Sequence, residues 1–343
     1  MMSIRSRTTA GRKDTRNRII WGGDRNENVI GIDALTMKEF GSFQTNRGRL
    51  GDQMADLENN LIVAAAGYYI KLNVDKFGNI TQAWEYTDFN TLNSDQRAVA
   101  VDTENNYYGG GWSTNSFNKF YENSSGNPET IWKYSLPSGG SNCSSINKEN
   151  TIVVIGTTGN NAGRIIGINT ANGDELFNEQ VYNAVTRDIS YDDDGNIYSV
   201  SQDGFIKKHS SDGESITELK SLSVTDKNLF GLCVTPNGEI YVAGGDVTDA
   251  SFGGWVYKIE EGESSFSIKW ALKVDENGLS HQVLFSPYTN RLYACTYTPN
   301  PLVVEVQDNG ESGFVVESFD GFAGDITNIR TQFEKIGQHP SRF

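Results

Sequence analysis

The sequence predicts an all-β protein built from repeated four-stranded units, and two observations support this. The first is a unit that recurs six times: a short alternating strand, a turn rich in Asp, Asn, Gly or Glu, and a second β-rich run. The second is its spacing. The first residue after each turn forms a series with intervals of 46, 44, 46, 43 and 52 residues: Leu61, Tyr107, Thr151, Ile197, Ile240 and Leu292. This period matches one blade of a β-propeller, about 40–50 residues.

Each unit begins with an inner hairpin and continues with a third and a fourth strand. The hairpins are "MADLENNLIVAAAG", "AVAVDTENNYYGGG", "SSINKENTIVVIG", "ISYDDDGNIYSVS", "LCVTPNGEIYVAGG" and "LFSPYTNRLYACTY". The strands that follow include "GRIIGINTANGDELFNEQ" and "GFIKKHSSDGESITELKSL". Asn-Gly, Asp-Gly or Gly-Glu lies between them, and these residues tolerate the positive φ that tight hairpin turns require.

The two ends of the chain supply a seventh blade. Residues 18–43, "RIIWGGDRNENVIGIDALTMKEFGSF", have the pattern of a second, third and fourth strand without a first. Residues 325–333, "DITNIRTQF", have the pattern of the missing inner strand. We therefore expect the C-terminal strand to pair with residues 18–24 and close the ring, which removes exposed sheet edges. The predicted organisation is a basic arm (1–17), a seven-bladed propeller (18–334) and a tail (335–343).

Two segments carry a family resemblance. "RIIGINTANGDELFN" and "NVIGIDALTMKEFGSF" resemble the pyrroloquinoline-quinone repeat, in which an apolar strand leads into Thr-x-Gly and a further strand. The wider pattern is similar to seven-bladed WD40-like and quinoprotein-like propellers over residues 18–333. The resemblance implies the propeller fold, and a fold of this kind serves many unrelated functions.

Charge is distributed unevenly along the chain. The first 18 residues contain six basic residues and one acid, which is a net charge of +5. Because the whole chain has a net charge of −15, the remaining residues carry a net charge of −20. We predict that this arm docks onto an anionic neighbour, and its basic residues are Arg5, Arg7, Arg12, Lys13, Arg16 and Arg18. The alternative is a solvated tail without a partner. The acidic body disfavours nucleic acid as the main ligand, because only the arm attracts phosphate.

The acidic run 192–194 superficially resembles the start of a calcium loop. Counted from Asp192, however, the sixth position is Ile197 and the twelfth is Asp203, where an EF-hand needs Gly and Glu. We therefore interpret this segment as a hairpin turn.

The widely spaced Cys143, Cys233 and Cys295 are interpreted as small buried thiols.

No catalytic motif is found in the sequence. His209, His281 and His339 are the only histidines and form no ligand pair, and the nucleophile-elbow and phosphate-loop patterns are absent. We predict no enzymatic activity, cofactor or metal.

The N-terminus has no apolar core of a secretory signal, and no stretch is long and apolar enough for a membrane helix, so we expect a protein that matures in the cytoplasm.

Two groups of residues are candidates for binding. Propellers bind ligands where loops converge on the mouth of the central channel, and the predicted mouth residues are Arg97, Asn142, Arg187, Phe230, His281 and Asp325. Alternatively, these side chains satisfy one another between blades. Residues 109–129 are predicted to form an enlarged loop with aromatic side chains, and its contact residues are Trp112, Phe117 and Tyr121. These aromatic side chains alternatively fold back over the blades.

The leading functional hypothesis is a non-enzymatic structural or interaction propeller in a multi-subunit particle. We expect a tailed-phage virion component in the tail, neck or capsid surface, docked through the arm onto other protein subunits, with a host-surface glycan or protein as a further possible contact. The alternatives are a carbohydrate-active or quinoprotein-like enzyme that uses the channel mouth, and a cytoplasmic peptide-binding scaffold.

Overall fold

A computed structural model describes residues 18–87, 96–137, 139–159, 162–297 and 301–330. It consists of seven four-stranded antiparallel sheets, which confirms the predicted all-β propeller. From the innermost to the outermost strand, blade 1 is β28 (Ile326–Arg330), β1 (Ile19–Asp24), β2 (Asn28–Asp33) and β3 (Lys38–Gln44); blade 2 is β4 (Asp52–Ala55), β5 (Leu61–Ala65), β6 (Tyr68–Val74) and β7 (Ile80–Tyr86); blade 3 is β8 (Gln96–Val101), β9 (Tyr107–Gly111), β10 (Ser116–Glu122) and β11 (Pro128–Ser135).

The remaining four blades repeat this order. Blade 4 is β12 (Ser141–Ile146), β13 (Ile152–Thr157), β14 (Gly163–Asn169) and β15 (Glu175–Tyr182); blade 5 is β16 (Thr186–Tyr191), β17 (Ile197–Ser201), β18 (Phe205–Ser211) and β19 (Ile216–Ser223); blade 6 is β20 (Asn228–Val234), β21 (Ile240–Gly245), β22 (Gly254–Glu261) and β23 (Phe266–Asp275); blade 7 is β24 (Ser280–Ser286), β25 (Arg291–Thr296), β26 (Val303–Asp308) and β27 (Gly313–Phe319). A short 3-10 turn, Ala250–Phe252, precedes β22. Within the described part of the chain, no helix could cross a membrane.

The two ends of the chain close the ring as predicted. Strand β28 pairs antiparallel with β1, with Trp21 opposite Arg330 and Gly23 opposite Asn328. The innermost strands contact one another in sequence around the channel, from β4 through β24 to β28 and back to β4. Blade 1 therefore combines strands from both termini, and opening the ring requires breaking backbone hydrogen bonds inside one sheet.

The core lies between the blades. Among the described residues, seven apolar clusters occur, one between each pair of neighbouring blades. Successive side chains on one strand face opposite neighbours: Tyr107 packs toward blade 2 and Tyr108 toward blade 4. Because both faces of each blade are covered, short strands such as β9 are buried at every position. This explains why these strands are apolar throughout and do not alternate.

The acidic segment ahead of Gly195 is a hairpin turn, as the sequence predicted. It joins β16 to β17, and the Oδ1 atom of Asp192 accepts hydrogen bonds from the backbone N–H groups of Asp194 and Asn196 at 3.0 and 2.8 Å. Gly195 has a φ of 81°, a left-handed conformation that suits glycine. Among the described residues, no group of three or more His, Cys, Asp or Glu side chains could hold a metal ion. The acids of this segment therefore form the turn.

Neighbouring blades are joined by a repeated polar contact that we call the inter-blade clasp. A lysine on the third strand of one blade donates to an oxygen at the end of the third strand of the next blade. The pairs are Lys71 with Glu122 (2.6 Å), Lys119 with the Thr170 carbonyl (3.1 Å), Lys208 with Glu261 (2.8 Å) and Lys258 with Asp308 (2.5 Å).

A side chain at the fifth position of the fourth strand donates to the acceptor residue of the clasp. This residue is Trp84, Trp132 or Trp270 in three blades, and Lys220 in blade 5. Two of the tryptophans also pack on a glycine of the next blade: a Cβ at Gly173 would lie 2.9 Å from the Trp132 ring, and a Cβ at Gly313 would lie 2.9 Å from the Trp270 ring. Ionic contacts, aromatic packing and small residues thus combine at these interfaces between blades.

The prediction that residues 109–129 form an enlarged loop is wrong. The segment contains the end of β9, all of β10 and the start of β11, joined by short turns. Phe117 and Phe120 are fully buried between blades and therefore cannot make external loop contacts. The segment looks loop-like in sequence because its polar residues are buried with partners: Asn118 donates to the Tyr86 hydroxyl at 3.1 Å, and Lys119 belongs to the inter-blade clasp.

Candidate functional site at the channel mouth

A β-bulge at the start of the innermost strands builds the candidate site. In β8, β12, β16, β20, β24 and β28 one residue near the N-terminal end is left out of the pairing with the second strand. A bulge leaves one residue unpaired and re-aims its side chain. All six bulged residues line one cavity at the centre of the ring, together with Gly51 just before β4: Gly51, Arg97, Asn142, Arg187, Phe230, His281 and Thr327. We call this set the bulge ring, with one member from each blade.

Five of the six predicted mouth residues belong to the bulge ring. The exception is Asp325, which lies before β28 and forms an ion pair with Arg25 at 3.3 Å. Thr327 occupies the corresponding position, because the bulge of β28 falls between Ile326 and Asn328. The prediction for this strand was two residues out of register. The second residue of the innermost strand is Arg97 in β8 and His281 in β24. The same rule applied to β28 would have selected Thr327.

In blade 2 the bulge-ring position requires glycine. A Cβ built on Gly51 would lie 1.8 Å from the backbone oxygen of Gln96 in the neighbouring strand β8. No side chain fits so close an approach. Arg49, two residues earlier, lines the cavity from this side of the ring.

Arginine and aromatic side chains contact one another in series around the mouth, and we call this series the cation–aromatic arc. In order, its members are Arg25, Tyr297, His281, Phe230, Arg187, Trp112 and Arg97. The Cζ of Arg97 lies 4.3 Å from the Trp112 ring centre, and the Cζ of Arg187 lies 5.4 Å from it. Trp112 follows β9 in the chain, so this predicted loop aromatic belongs to the mouth and not to a separate surface. Each cation–π contact contributes about 0.5–2 kcal/mol, depending on desolvation.

The imidazole of His281 lies at the centre of an aromatic stack. Its ring centre is 5.2 Å from that of Phe230 and 5.7 Å from that of Tyr297, with interplanar angles of 21° and 19°. Burial, followed by the charges of Arg187, Arg97, Arg49 and Arg25, holds the pKa of His281 well below its ordinary value. This histidine is therefore neutral at pH 7 and acts as an aromatic ring with one N–H donor.

Arg187 is held in an electropositive environment. Burial, followed by the charges of Arg97 and Arg49, lowers the pKa of Arg187 to about 10. One Nη atom donates to the Gln202 side chain at 2.7 Å, and the buried Nε has no hydrogen-bond partner among the described residues. Burial is the main cause of this lowering, and repulsion from the two neighbouring guanidinium groups adds to it.

A buried ion cluster forms the floor of the cavity. Arg330 lies between two aspartates from opposite sides of the ring, with Nε 3.2 Å from Asp52 Oδ1 and one Nη 3.9 Å from Asp188 Oδ1. Asp188 Oδ2 also accepts from Gln282 Nε2 at 2.9 Å and from the backbone N–H of Leu232 at 3.0 Å. These contacts tie five blades together across the channel, and they were not predicted because they join residues far apart in sequence.

The cavity above this floor is small and mainly cationic. It offers the centres of water molecules a volume of about 40 Å³. Among the described lining residues, Arg49, Arg97, Arg187 and Arg330 outnumber the two carboxylates, Asp52 and Asp188. The site can accept a small group that carries negative charge, and its aromatic rim can pack against an apolar or planar neighbour of that group.

The other predicted contact residues are engaged within the chain. Tyr121 lies on β10 and donates to the Glu129 carboxylate at 2.9 Å, which raises the pKa of Tyr121. Arg18 donates from Nε to Asp33 at 3.1 Å and therefore belongs to blade 1. The other predicted docking residues of the arm lie outside the described residues: Arg5, Arg7, Arg12, Lys13 and Arg16.

Comparisons with known proteins identify the fold. No protein-family model matches the chain, and no curated protein matches it. Among solved structures, a chain in a crystal structure of the mitotic checkpoint complex matches with a TM-score of 0.66 and 11% identity, over 81% of this chain and 79% of that chain. The β-propeller domain of Cps50 (Swd1) from Myceliophteria thermophila matches with a TM-score of 0.67 and 14% identity, over 86% and 94%.

A third solved structure matches over a longer part of the chain. It is a functionally unknown protein from Desulfotomaculum acetoxidans, with a TM-score of 0.71 and 12% identity over 92% of this chain and 98% of that chain. At these identities the similarity concerns the fold alone. The chain is a seven-bladed β-propeller, similar in fold to these three structures.

Proposed function

We propose that this chain is a non-enzymatic interaction subunit of a multi-subunit assembly, and that it contacts a partner protein at the channel mouth. The observation that supports this most strongly is the cation–aromatic arc. Aromatic residues and arginine are the side chains most enriched among residues that dominate binding energy at protein interfaces. Here they are gathered at one opening of a body whose overall charge is strongly negative.

The chemistry of the site favours binding over catalysis. Asp52 and Asp188, the carboxylates at the cavity, are both held by Arg330. A cavity of about 40 Å³ is far below the roughly 300–1,000 Å³ of typical cofactor and substrate pockets, such as a quinone cofactor would need. Both observations support a binding role.

The proposed assembly is a tailed-phage virion, with this subunit in the tail, neck or capsid surface. The basic arm supports this proposal, because it gives an acidic ring a separate cationic anchor for an acidic neighbour. Since Arg18 belongs to blade 1, we assign the anchor to residues 1–17. In this proposal the arm attaches the subunit, and the mouth is turned toward a second partner.

Two changes in the expressed protein test this proposal. Deletion of residues 1–17 should abolish recovery of the chain in the assembly while the ring remains folded. Substitution Trp112→Leu should leave the subunit incorporated but weaken the contact at the mouth. Native mass spectrometry of particles purified from the source culture measures both. A chain that is recovered only as a free monomer, or that incorporates normally without residues 1–17, would contradict the proposal.

A further inference from the structure

We propose that the channel mouth binds a carboxylate group presented by an acidic segment, rich in Asp or Glu, of a partner protein. This inference rests on the proposed function and names the chemistry that the mouth recognises. It depends on four features of the mouth: the environment of Arg187, the aromatic faces beside it, the size of the cavity and the charge of its floor.

Arg187 provides the anion-binding group. Its guanidinium is planar, and its Nε has no partner in the described part of the chain, while one Nη is bound to Gln202. A carboxylate accepts two parallel hydrogen bonds from a guanidinium, so a ligand here would satisfy donors that the protein leaves available. Arg97 and Arg49 face the same cavity and add attraction for any anion that enters.

Two aromatic rings contact this guanidinium and limit its movement. Arg187 Cζ lies 5.1 Å from the Phe230 ring centre and 5.4 Å from the Trp112 ring centre. A side chain fixed in this way loses little conformational freedom when it binds, which reduces the entropic cost of association. The same rings offer apolar faces to the methylene groups and backbone that surround a carboxylate in a peptide.

The size of the cavity favours a carboxylate over a larger anion. A volume of about 40 Å³ corresponds to about three water molecules, since one water needs about 10–15 Å³ on this measure. A carboxylate has three heavy atoms, whereas a phosphate group has five. The remainder of the ligand must therefore lie outside the cavity, against the rim.

The floor limits the charge that the site accepts. Asp52 and Asp188 lie on either side of Arg330, so these three groups together carry one negative charge. An anion bound between the rim arginines and this floor experiences attraction from above and repulsion from below. A singly charged carboxylate suits this gradient better than a phosphate dianion does.

Fluorescence anisotropy on the full-length chain tests the inference. The probe is a short fluorescein-labelled polyglutamate peptide, and a polyglutamine peptide of equal length is its neutral reference. We expect polyglutamate to bind in a salt-sensitive manner and polyglutamine not to bind. Arg187→Gln should weaken binding at least about tenfold, the effect of losing a charge-assisted contact. Arg187→Lys, which keeps the charge without the planar fork, should have a smaller effect.

Lys38→Gln is the matched control, because it removes one positive charge far from the mouth. Lys38 begins β3, and the third-to-fourth strand turns lie at the opposite end of the ring. Thermal unfolding of each variant checks folding, and Trp112→Leu replaces Arg187→Gln if that variant does not fold. Absence of polyglutamate binding would overturn the inference. Equal binding to the wild type and to both mouth variants would also overturn it, because the basic arm would then account for the binding. Tighter binding of inorganic phosphate than of peptide would also overturn it.

The two proposals can fail separately. A subunit that is recovered in its assembly and contacts a partner there at the mouth, but does not bind polyglutamate, retains the proposed function and loses this inference. A chain that binds polyglutamate through Arg187 but is never found in an assembly retains the inference about chemistry and loses the proposed function.

Discussion

The guanidinium of Arg187 lies 5.1 Å from the ring centre of Phe230, and both residues are bulged out of innermost strands of neighbouring blades. The bulge, and not the loop that precedes it, is what aims each side chain into the channel. Because six of the seven blades place one residue in this way, the repeat produces a ring of six variable positions, with Gly51 at the seventh. Their identities then determine what the mouth can bind.

Replacement of Arg187 by methionine should stabilise the free protein. Arg187 is a largely buried cation among other cations, so an uncharged side chain of similar length avoids desolvation and repulsion. We expect a gain of about 1 kcal/mol in the free energy of unfolding, measured by urea denaturation, together with loss of ligand binding. Lys208→Met is the contrasting variant and should destabilise, because Lys208 is paired with Glu261 and Asp192. Destabilisation by both would show that Arg187 is a structural cation.

Removal of one acceptor from the inter-blade clasp should loosen a single blade interface. Glu122 accepts from Lys71 at 2.6 Å and from Trp84 at 3.1 Å. Glu122→Gln weakens both bonds and should lower the free energy of unfolding by about 1–2 kcal/mol, since the carboxylate is partly exposed. The control is Glu317→Gln on the exposed outer strand β27, which should change stability little. Equal effects of the two substitutions on the free energy of unfolding would show that the inter-blade clasp does not stabilise the blade interface.

Stability should fall in mildly acidic solution because of His209. Burial lowers the pKa of His209 to about 4 from an ordinary value of 6.5. Between these values the unfolded chain binds a proton that the folded chain does not, so stability is lost as the pH falls from 6.5 toward 4. The loss attributable to His209 amounts to at most about 3 kcal/mol. Thermal unfolding of His209→Leu should show a weaker dependence on pH over this range; an unchanged dependence would assign the effect to other groups.

Calcium should have no effect on stability. The carboxylate of Asp192 already accepts from two backbone N–H groups, from the side chain of Asn196 at 2.8 Å, and lies 3.7 Å from Lys208. We expect the same melting temperature with calcium and with a chelator. Gly195→Ala, in contrast, should cost about 1 kcal/mol because its φ is 81°. A melting temperature that rises with calcium would restore the metal-loop interpretation.

The sequence predicted the repeat well because turns and strand starts are local features. The marker residues Leu61, Tyr107, Ile197 and Ile240 each begin the second strand of a blade in the structure. The bulge ring was also largely predictable, since Arg97 and His281 occupy equivalent places in aligned units. Asp325 was two residues out of register, although alignment of β28 with the other innermost strands would have selected Thr327.

Long-range features of the site could not be predicted in the same way. Arg330 contacts Asp52 and Asp188 only because the ring closes. The sequence near any one of these residues does not predict a contact with the other two. Phe117 was placed on a loop because its strand is rich in Asn, Ser and Lys, whose buried partners lie on other strands and in the neighbouring blade. Sequence patterns describe exposure, whereas these polar residues are satisfied inside the protein.

Site-specific photo-crosslinking tests the central claim, that the mouth is the interaction surface, most directly. A benzophenone amino acid is placed at Ser113, beside Trp112, or at Phe77, which is exposed in a third-to-fourth strand turn at the opposite end of the ring. Irradiation of the intact assembly should give one discrete crosslinked partner from Ser113, lost in the Arg187→Gln background, and none from Phe77. A crosslink from Phe77 alone, or one from Ser113 that Arg187→Gln leaves unchanged, would contradict the account.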